Sequence, residues 1–280
     1  MQERPLSPRD YDVPVGWWGW NWEPPVPLSV TELLESGNFD ARTAALTWLV
    51  LEAHGSLLIS AEQPHSGKTT TLTAFLDFLP NATRRVFLRG WSETFDYLDQ
   101  MDPATTLLLA NELSSHLPVY LWGPKAVRVF RSLDRGYALG STLHADSAAE
   151  AVEQLTGELG VEPRDLARVD LLAVMRLYST SRGGLVRRVV TLHRVDGMVP
   201  LVTWDQATDT HRHDDDAQQA LLCARVRRPL AELRTELASR TRFLEGLLAD
   251  GVRDIPAVRA AIAAARGERV PAALRGDPVR

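Results

Sequence analysis

The sequence predicts an α/β fold with a mainly parallel sheet, an antiparallel hairpin at one edge and a helical C-terminal extension. Three observations predict it. Short apolar runs of strand length alternate with segments of helical periodicity from residue 28 to the helix after Ser147, the pattern of a parallel sheet with crossover helices. Two further runs, 169–178 and 185–195, flank Arg182-Gly183-Gly184 and read as a hairpin, with a third strand near 199–204. After residue 215 the periodicity is helical, broken at Pro229.

Each element has a local reason. Residues 1–27 contain PVGWWGWNWEPPVP, with Trp17, Trp18, Trp20 and Trp22 close together. Proline and glycine on both sides forbid a regular helix there. The stretch reads as an extended arm, either packed on its own domain or anchoring a partner or membrane interface. Ser29 and Glu32 form a capping box, with Leu28 and Leu33 as the hydrophobic staple, so a helix starts here. A second helix begins after Asp40 and stops at Gly55. SLLIS (56–60) is a buried strand, followed by a loop and a helix that runs to Pro80. RRVFLR (84–89) and TTLLLA (105–110) are the next strands, a helix spans about 124–134, and YALGSTLH (137–144) is another strand. Ser147 caps the helix AAEAVEQLTGEL. The expected organisation is an arm over 1–27, an α/β core over 28–205, a helical region over 206–266 and a flexible tail over 267–280.

Bulk composition narrows the function. The chain has 280 residues, 45% apolar and 24% charged, which is ordinary globular composition with ample material for a core. A net charge of −5 argues against a broad nucleic-acid surface, so no nucleic-acid partner is expected. Cys223 is the only cysteine, so no intrachain disulfide can form; it reads as a small buried apolar residue. The N-terminus MQERPLSPRDYD has no apolar core of a signal peptide, and no run reaches the roughly 18 apolar residues of a membrane helix. A cytoplasmic protein is expected, or one peripheral to the cytoplasmic membrane. HRHDDD (211–216) reads as a solvated turn, because two histidines and adjacent aspartates in a loop define no metal geometry.

The chemistry sits in AEQPHSGKTTTL, residues 61–72. It follows a strand and opens a helix, the context of a phosphate-binding loop. Gly67 permits a conformation that other residues resist. Lys68 is placed to bridge β- and γ-phosphates, and the Thr69 hydroxyl to hold Mg²⁺. His65, Ser66 and Thr70 complete the set of loop residues expected against the nucleotide. The pattern G-x-x-x-x-G-K-[ST] departs at its first glycine, which is Glu62, and His65 takes another position that is often glycine. A carboxylate within a few ångströms of phosphate costs about a few kcal/mol unless it points away or is paired. After TTLLLA, Glu112 stands where an acid reaches the nucleotide-bound Mg²⁺ or the attacking water.

GSTLHADSAAEAVEQL, residues 140–155, is the third motif. With it the sequence resembles the type II/type IV secretion and pilus motor ATPases, hexameric RecA-like proteins, closest to the archaeal and tight-adherence branch. Thr142 to Ala151 are similar to that family's histidine box, T-L-H-A-x-S-A-x-x-A, and the likeness runs over about residues 27–265. The resemblance implies a RecA-like P-loop core, ATP and Mg²⁺ as cofactors, and ATP held between the protomers of a ring. The ring is a homo-oligomer, expected as a hexamer, or a hetero-assembly with a related motor, working on an inner-membrane platform protein. By position it assigns Lys68 and Thr69 to Walker A, Glu112 to Walker B, and His144 to contact with the nucleotide site. Thr69 and Glu112 would attend the metal, and Arg182, Arg187 and Arg188 fall in the family's basic hairpin.

The departures from the family share a direction. Its acidic box reads RGWSE here, so Arg89 and Gly90 replace acids and only Glu93 remains as a second catalytic candidate. No arginine occurs between Glu93 and Glu112, where the family carries some, and an arginine finger is worth about 10³–10⁵-fold in rate. Tyr137 stands at the box's first histidine, and only the tryptophan-rich arm stands where the family has a nucleotide-covering N-terminal domain. These losses touch cleavage more than binding. The expectation is a slow motor-type ATPase, with a catalytically degenerate regulatory or assembly subunit as the alternative.

Overall fold

The computed structural model describes residues 27–115, 117, 120–179 and 184–269. The tryptophan cluster, Arg182 and Gly183, and the tail from residue 270 lie outside the described residues. α1 (Val30–Glu35) opens with the expected box: Glu32 N donates to Ser29 Oγ at 3.3 Å and Ser29 N to Glu32 Oε2 at 2.7 Å. α2 (Ala41–Glu52) is capped by Asp40, whose carboxylate accepts from Thr43 N at 2.8 Å. Then come β1 (Leu57–Ser60), α3 (Lys68–Phe75), β2 (Arg84–Phe87), α4 (Tyr97–Gln100), β3 (Thr106–Ala110) and α5 (Gly123–Ser132). β4 (Ala138–Leu143), α6 (Ala148–Glu153), α7 (Pro163–Leu166) and β5 (Leu171–Ser179) follow. β6 (Leu185–Arg194), β7 (Val199–Asp205) and β8 (Thr210–His213) precede α8 (Asp215–Val226), α9 (Leu230–Ala249) and α10 (Ile255–Ala265).

The strands form one sheet in the order β2-β3-β4-β1-β5-β6-β7-β8. The run from β2 to β5 is parallel, and β5 to β8 pair antiparallel. This is the expected α/β class, a mainly parallel sheet with an antiparallel edge and C-terminal helices. Strand faces alternate, so Leu57, Ile59, Leu107 and Leu109 enter the core under α2, α3 and the C-terminal helices. Leu58, Leu108, Val86 and Leu139 enter a second core with α5 and α6 on the other face. Burial on both faces is why β1 and β3 are continuous apolar runs.

β5 outruns its central neighbour. β1 pairs only with Leu171–Val174 of β5, and residues 175–179 continue beside β6 alone. The register against β6 shifts between Val174 and Met175, where β5 leaves β1, and leaves Val190 as the extra residue on β6. A bulge sharpens local twist and re-aims the strand. The two-stranded extension passes beside the loop between β1 and α3.

The C-terminal helices dock through aromatic and ionic contacts. Trp48 of α2 stacks on Phe78 at 5.3 Å and lies under the Arg240 guanidinium of α9 at 4.5 Å. Arg240 also grips Glu52 with two hydrogen bonds, at 2.8 and 3.0 Å. α10 carries Arg259 to Asp77 at 2.9 Å, with both groups buried. Two expectations change here. HRHDDD is no solvated turn: it supplies β8, and Asp214 caps α8 through Ala217 N at 2.9 Å. His213 Nε2 lies 2.7 Å from Asp40 Oδ2, so that histidine ties β8 to α2, and among the described residues no cluster suited to a metal occurs. Cys223 is exposed on α8, not buried, because the apolar face of that helix runs through Leu221 and Leu222.

Candidate functional site

Because β1, β3 and β4 are adjacent and parallel, their C-terminal ends share one edge, where an open parallel sheet forms its ligand crevice. Three sequence-predicted residues meet there. Lys68 begins α3, Glu112 stands just beyond β3, and His144 stands just beyond β4. Lys68 is 8% exposed, and its Nζ donates to Ala61 O at 2.7 Å. The same Nζ is 3.3 Å from His144 Nδ1, and His144 Nε2 is 3.0 Å from Glu112 Oε1. A charged lysine has no acceptor, so in the ring form that bonds Lys68, Nδ1 accepts and the Nε2 proton faces Glu112. Nδ1 also lies 3.4 Å from Glu62 O, so the lysine contact suits the neutral ring and the Glu62 carbonyl suits the imidazolium.

The electrostatics follow from this chain of contacts. Burial lowers the Lys68 pKa, while the Glu112 and Glu62 charges oppose that shift. The hydrogen bond to Glu112 raises the His144 pKa, against burial and the Lys68 charge. Tyr120 lies close enough for Glu112 to add to the upward shift that burial gives its phenol. Ser60 Oγ donates to Ala145 O at 2.5 Å, joining the end of β1 to the segment after His144.

The loop fits phosphate on its own geometry. Gly67 has φ +90° and caps α3, and glycine brings no side chain of its own to the amides of the first turn. Such amides and the helix dipole favour an anion. Lys68 could supply the charge there, and the Thr69 hydroxyl and the Glu112 carboxylate are hard oxygen donors of the kind that would hold Mg²⁺. Thr69 and Thr70 are half-buried, Ser66 is buried, and His65 is exposed. His65 has φ +59°, a left-handed conformation for which glycine is the easier residue. Glu62 is not among the residues of positive φ and is exposed, so the missing first glycine causes no backbone strain at that position.

Glu93 is buried and structurally engaged. Its Oε2 accepts from Arg89 N at 3.0 Å and its Oε1 from Phe95 N at 2.7 Å, holding the turn after β2. Tyr137 is also structural, its hydroxyl donating to Met101 O at 3.1 Å. Arg188 is buried and forks onto Asp209 with two contacts of 2.7 Å, which hold that carboxyl at about 2. Arg187 was expected only as part of a basic hairpin, yet it touches the loop: its Nε donates to His65 O at 2.8 Å. Gln63 Oε1 accepts from Leu177 N at 2.8 Å, a second tie between loop and hairpin. Neither tie has a local sequence signal, since both depend on β5 running past β1.

No family model matches the chain. It is similar to two uncharacterised proteins of Methanocaldococcus jannaschii. MJ0900 is 26% identical over 275 residues, covering 84% of this chain and 48% of that protein. MJ1287 is 24% identical over 248 residues, covering 78% of this chain and 90% of that protein. The chain thus spans about half the length of the first relative. Among solved structures, the VirB11 ATPase of the Brucella suis type IV secretion system is 16% identical, with a TM-score of 0.41 over 60% of this chain and 55% of that one. The ATPase DotB of Yersinia pseudotuberculosis is 12% identical, with a TM-score of 0.43 over 91% of this chain and 63% of that one.

Proposed function

We propose that this chain binds Mg-ATP at the β1–α3 loop and hydrolyses it slowly, as a motor-type subunit of a secretion or pilus machine. The carrying observation is the contact chain from Lys68 through His144 to Glu112, contributed by the start of α3 and the ends of β4 and β3. Bound Mg-ATP supplies an electrophilic terminal phosphorus beside these groups. Lys68 exchanges its Ala61 carbonyl for phosphate oxygens, which costs little because the ammonium is already held at the helix start. Glu112 orients and accepts a proton from water. His144 holds the Glu112 carboxylate in place and carries a proton more readily than an isolated histidine. We assign the base to Glu112 over Glu93, whose two oxygens already accept from backbone amides. The chain then acts in a ring, as a homo-oligomer or beside a related motor, at the cytoplasmic face of a membrane platform. No helix among the described residues is long and apolar enough to cross a membrane.

The second reading, a regulatory subunit that binds nucleotide without turnover, is favoured by the structural engagement of Glu93, the one acid left in its box. One experiment separates the two. Mg-ATP binding and steady-state ATP hydrolysis are both measured for the chain, Lys68→Ala and Glu112→Gln. Turnover that both substitutions abolish supports the motor reading. Binding without turnover in the unmodified chain transfers support to the regulatory subunit. No binding at all overturns both.

A further inference from the structure

Arg187 is the unexplained cation of this region. It comes from β6, and β5 lies between that strand and β1. Its side chain crosses the phosphate loop closely enough that a Cβ on Gly67 would sit 3.1 Å from Arg187 Cδ. The Nε donates to His65 O, and among the described residues neither terminal nitrogen makes a hydrogen bond or ion pair. The guanidinium is therefore fixed at one nitrogen, against a carbonyl of the loop that would wrap phosphate, with two forked donors left over. Arginine's planar fork is suited to phosphate oxygens in this way.

Charge balance gives the fork a task. Lys68 already faces the carboxylates of Glu112 and Glu62. A polyphosphate entering the same loop adds several negative charges beside those carboxylates, and a single ammonium is a poor counterweight. The sequence also has no arginine between Glu93 and Glu112. We propose that Arg187 fills this gap from within the same chain, as a direct ligand of the nucleotide's phosphates. The inference rests on the nucleotide-binding reading above and adds which phosphates are held. Glu112 and His144 project from β3 and β4, on one side of β1, whereas Arg187 reaches in from the other. Water directed by Glu112 attacks the terminal phosphorus from the β4 side. Arg187 thus faces the α- and β-phosphates, which remain in ADP, and the β-phosphate takes the electron pair of the bridging oxygen as its bond to the γ-phosphorus breaks.

The test is binding of Mg-ADP, followed by calorimetry and by thermal melting, to the full chain and to Arg187→Met. Methionine keeps an unbranched apolar stem over Gly67 and removes the charge and the fork. A lost charge-assisted contact lowers ADP affinity by about ten- to a hundredfold. The expected result is that loss, with an unchanged melting temperature for the ligand-free protein. Equal ADP affinity in the two proteins overturns the role of Arg187 and leaves nucleotide binding standing. If neither Mg-ADP nor Mg-ATP binds the unmodified chain, nucleotide binding itself fails and takes the inference with it. Should Arg187→Met also lower the ligand-free melting temperature, Gln63→Ala decides, because it cuts the other tie between loop and hairpin and leaves the charge intact. Retained affinity in Gln63→Ala supports a phosphate contact. The same loss as in Arg187→Met makes Arg187 a clamp and overturns the proposal.

Discussion

His144 sits between an ammonium on one nitrogen and a carboxylate on the other, so its proton affinity reports the state of the whole cluster. The Glu112 contact raises its pKa, and Lys68 and burial work against the rise. A group whose folded pKa is raised stabilises the fold fully below its unfolded value, near about 6.5, and that contribution fades as pH rises through the folded value. In an NMR titration, the His144 ring should titrate above an ordinary histidine, and Glu112→Gln should bring it down. An unchanged midpoint in Glu112→Gln would break the link between the two residues. Lys68, Glu112 and His144 were legible in the sequence because Glu112 and His144 closely follow apolar strand runs and Lys68 stands in a strand–loop–helix pattern, so local pattern and spatial position coincide. Arg187 was not, because its place against His65 depends on pairing across β5 and on a register shift that no local pattern announces.

At the scale of elements, the docking of α10 turns on one buried carboxylate. Asp77 follows α3, pairs with Arg259 at 2.9 Å and lies 4.0 Å from Arg85 on β2. Burial raises its pKa, and the surrounding arginines oppose the shift. Removing one member of a buried ion pair leaves the other charge uncompensated, which costs about 3–5 kcal/mol. Asp77→Ala should lose that much in a denaturant titration, and a loss below about 1 kcal/mol would mean that the pair is solvated in practice. Most elements were legible, because Ser29, Asp40 and Ser147 cap helices in the sequence as they do in the fold. β8 was missed because an edge strand of Thr210, His211, Arg212 and His213 has no apolar alternation, and only its pairing with β7 makes it a strand. The side of α8 that Cys223 occupies was likewise fixed by docking, not by the residue's own preference for burial.

For the whole molecule, strand order matters more than any single motif. Setting β4 between β1 and β3 brings His144 between Lys68 and Glu112, which the chain separates by dozens of residues. A ligand bound across those strand ends stabilises the folded state and not the unfolded one. At a hundredfold excess over its Kd, Mg-ATP should add about 2.7 kcal/mol, or roughly 5–10 °C in Tm for a domain of this size. Differential scanning calorimetry with and without Mg-ATP measures this directly. No shift at millimolar nucleotide would contradict binding at the strand ends. The alternation of strands and helices foretold a parallel sheet, but not the length by which β5 overshoots, which is set by its pairing with β6 and not by its own residues.

That overshoot has a mechanical side. Over residues 175–179, roughly 16 Å at the usual strand rise, β5 and β6 form a beam rooted in the sheet at one end. Leu177 and Arg187, cross-strand partners partway along it, fasten it to the loop through Gln63 and His65. Tyr178 near the far end of β5 also packs on Trp204 of β7, with ring centroids 5.0 Å apart, so the beam is braced from the edge of the sheet as well. The loop and the beam therefore share a fastening at two points, and whatever shifts the one bears directly on the other.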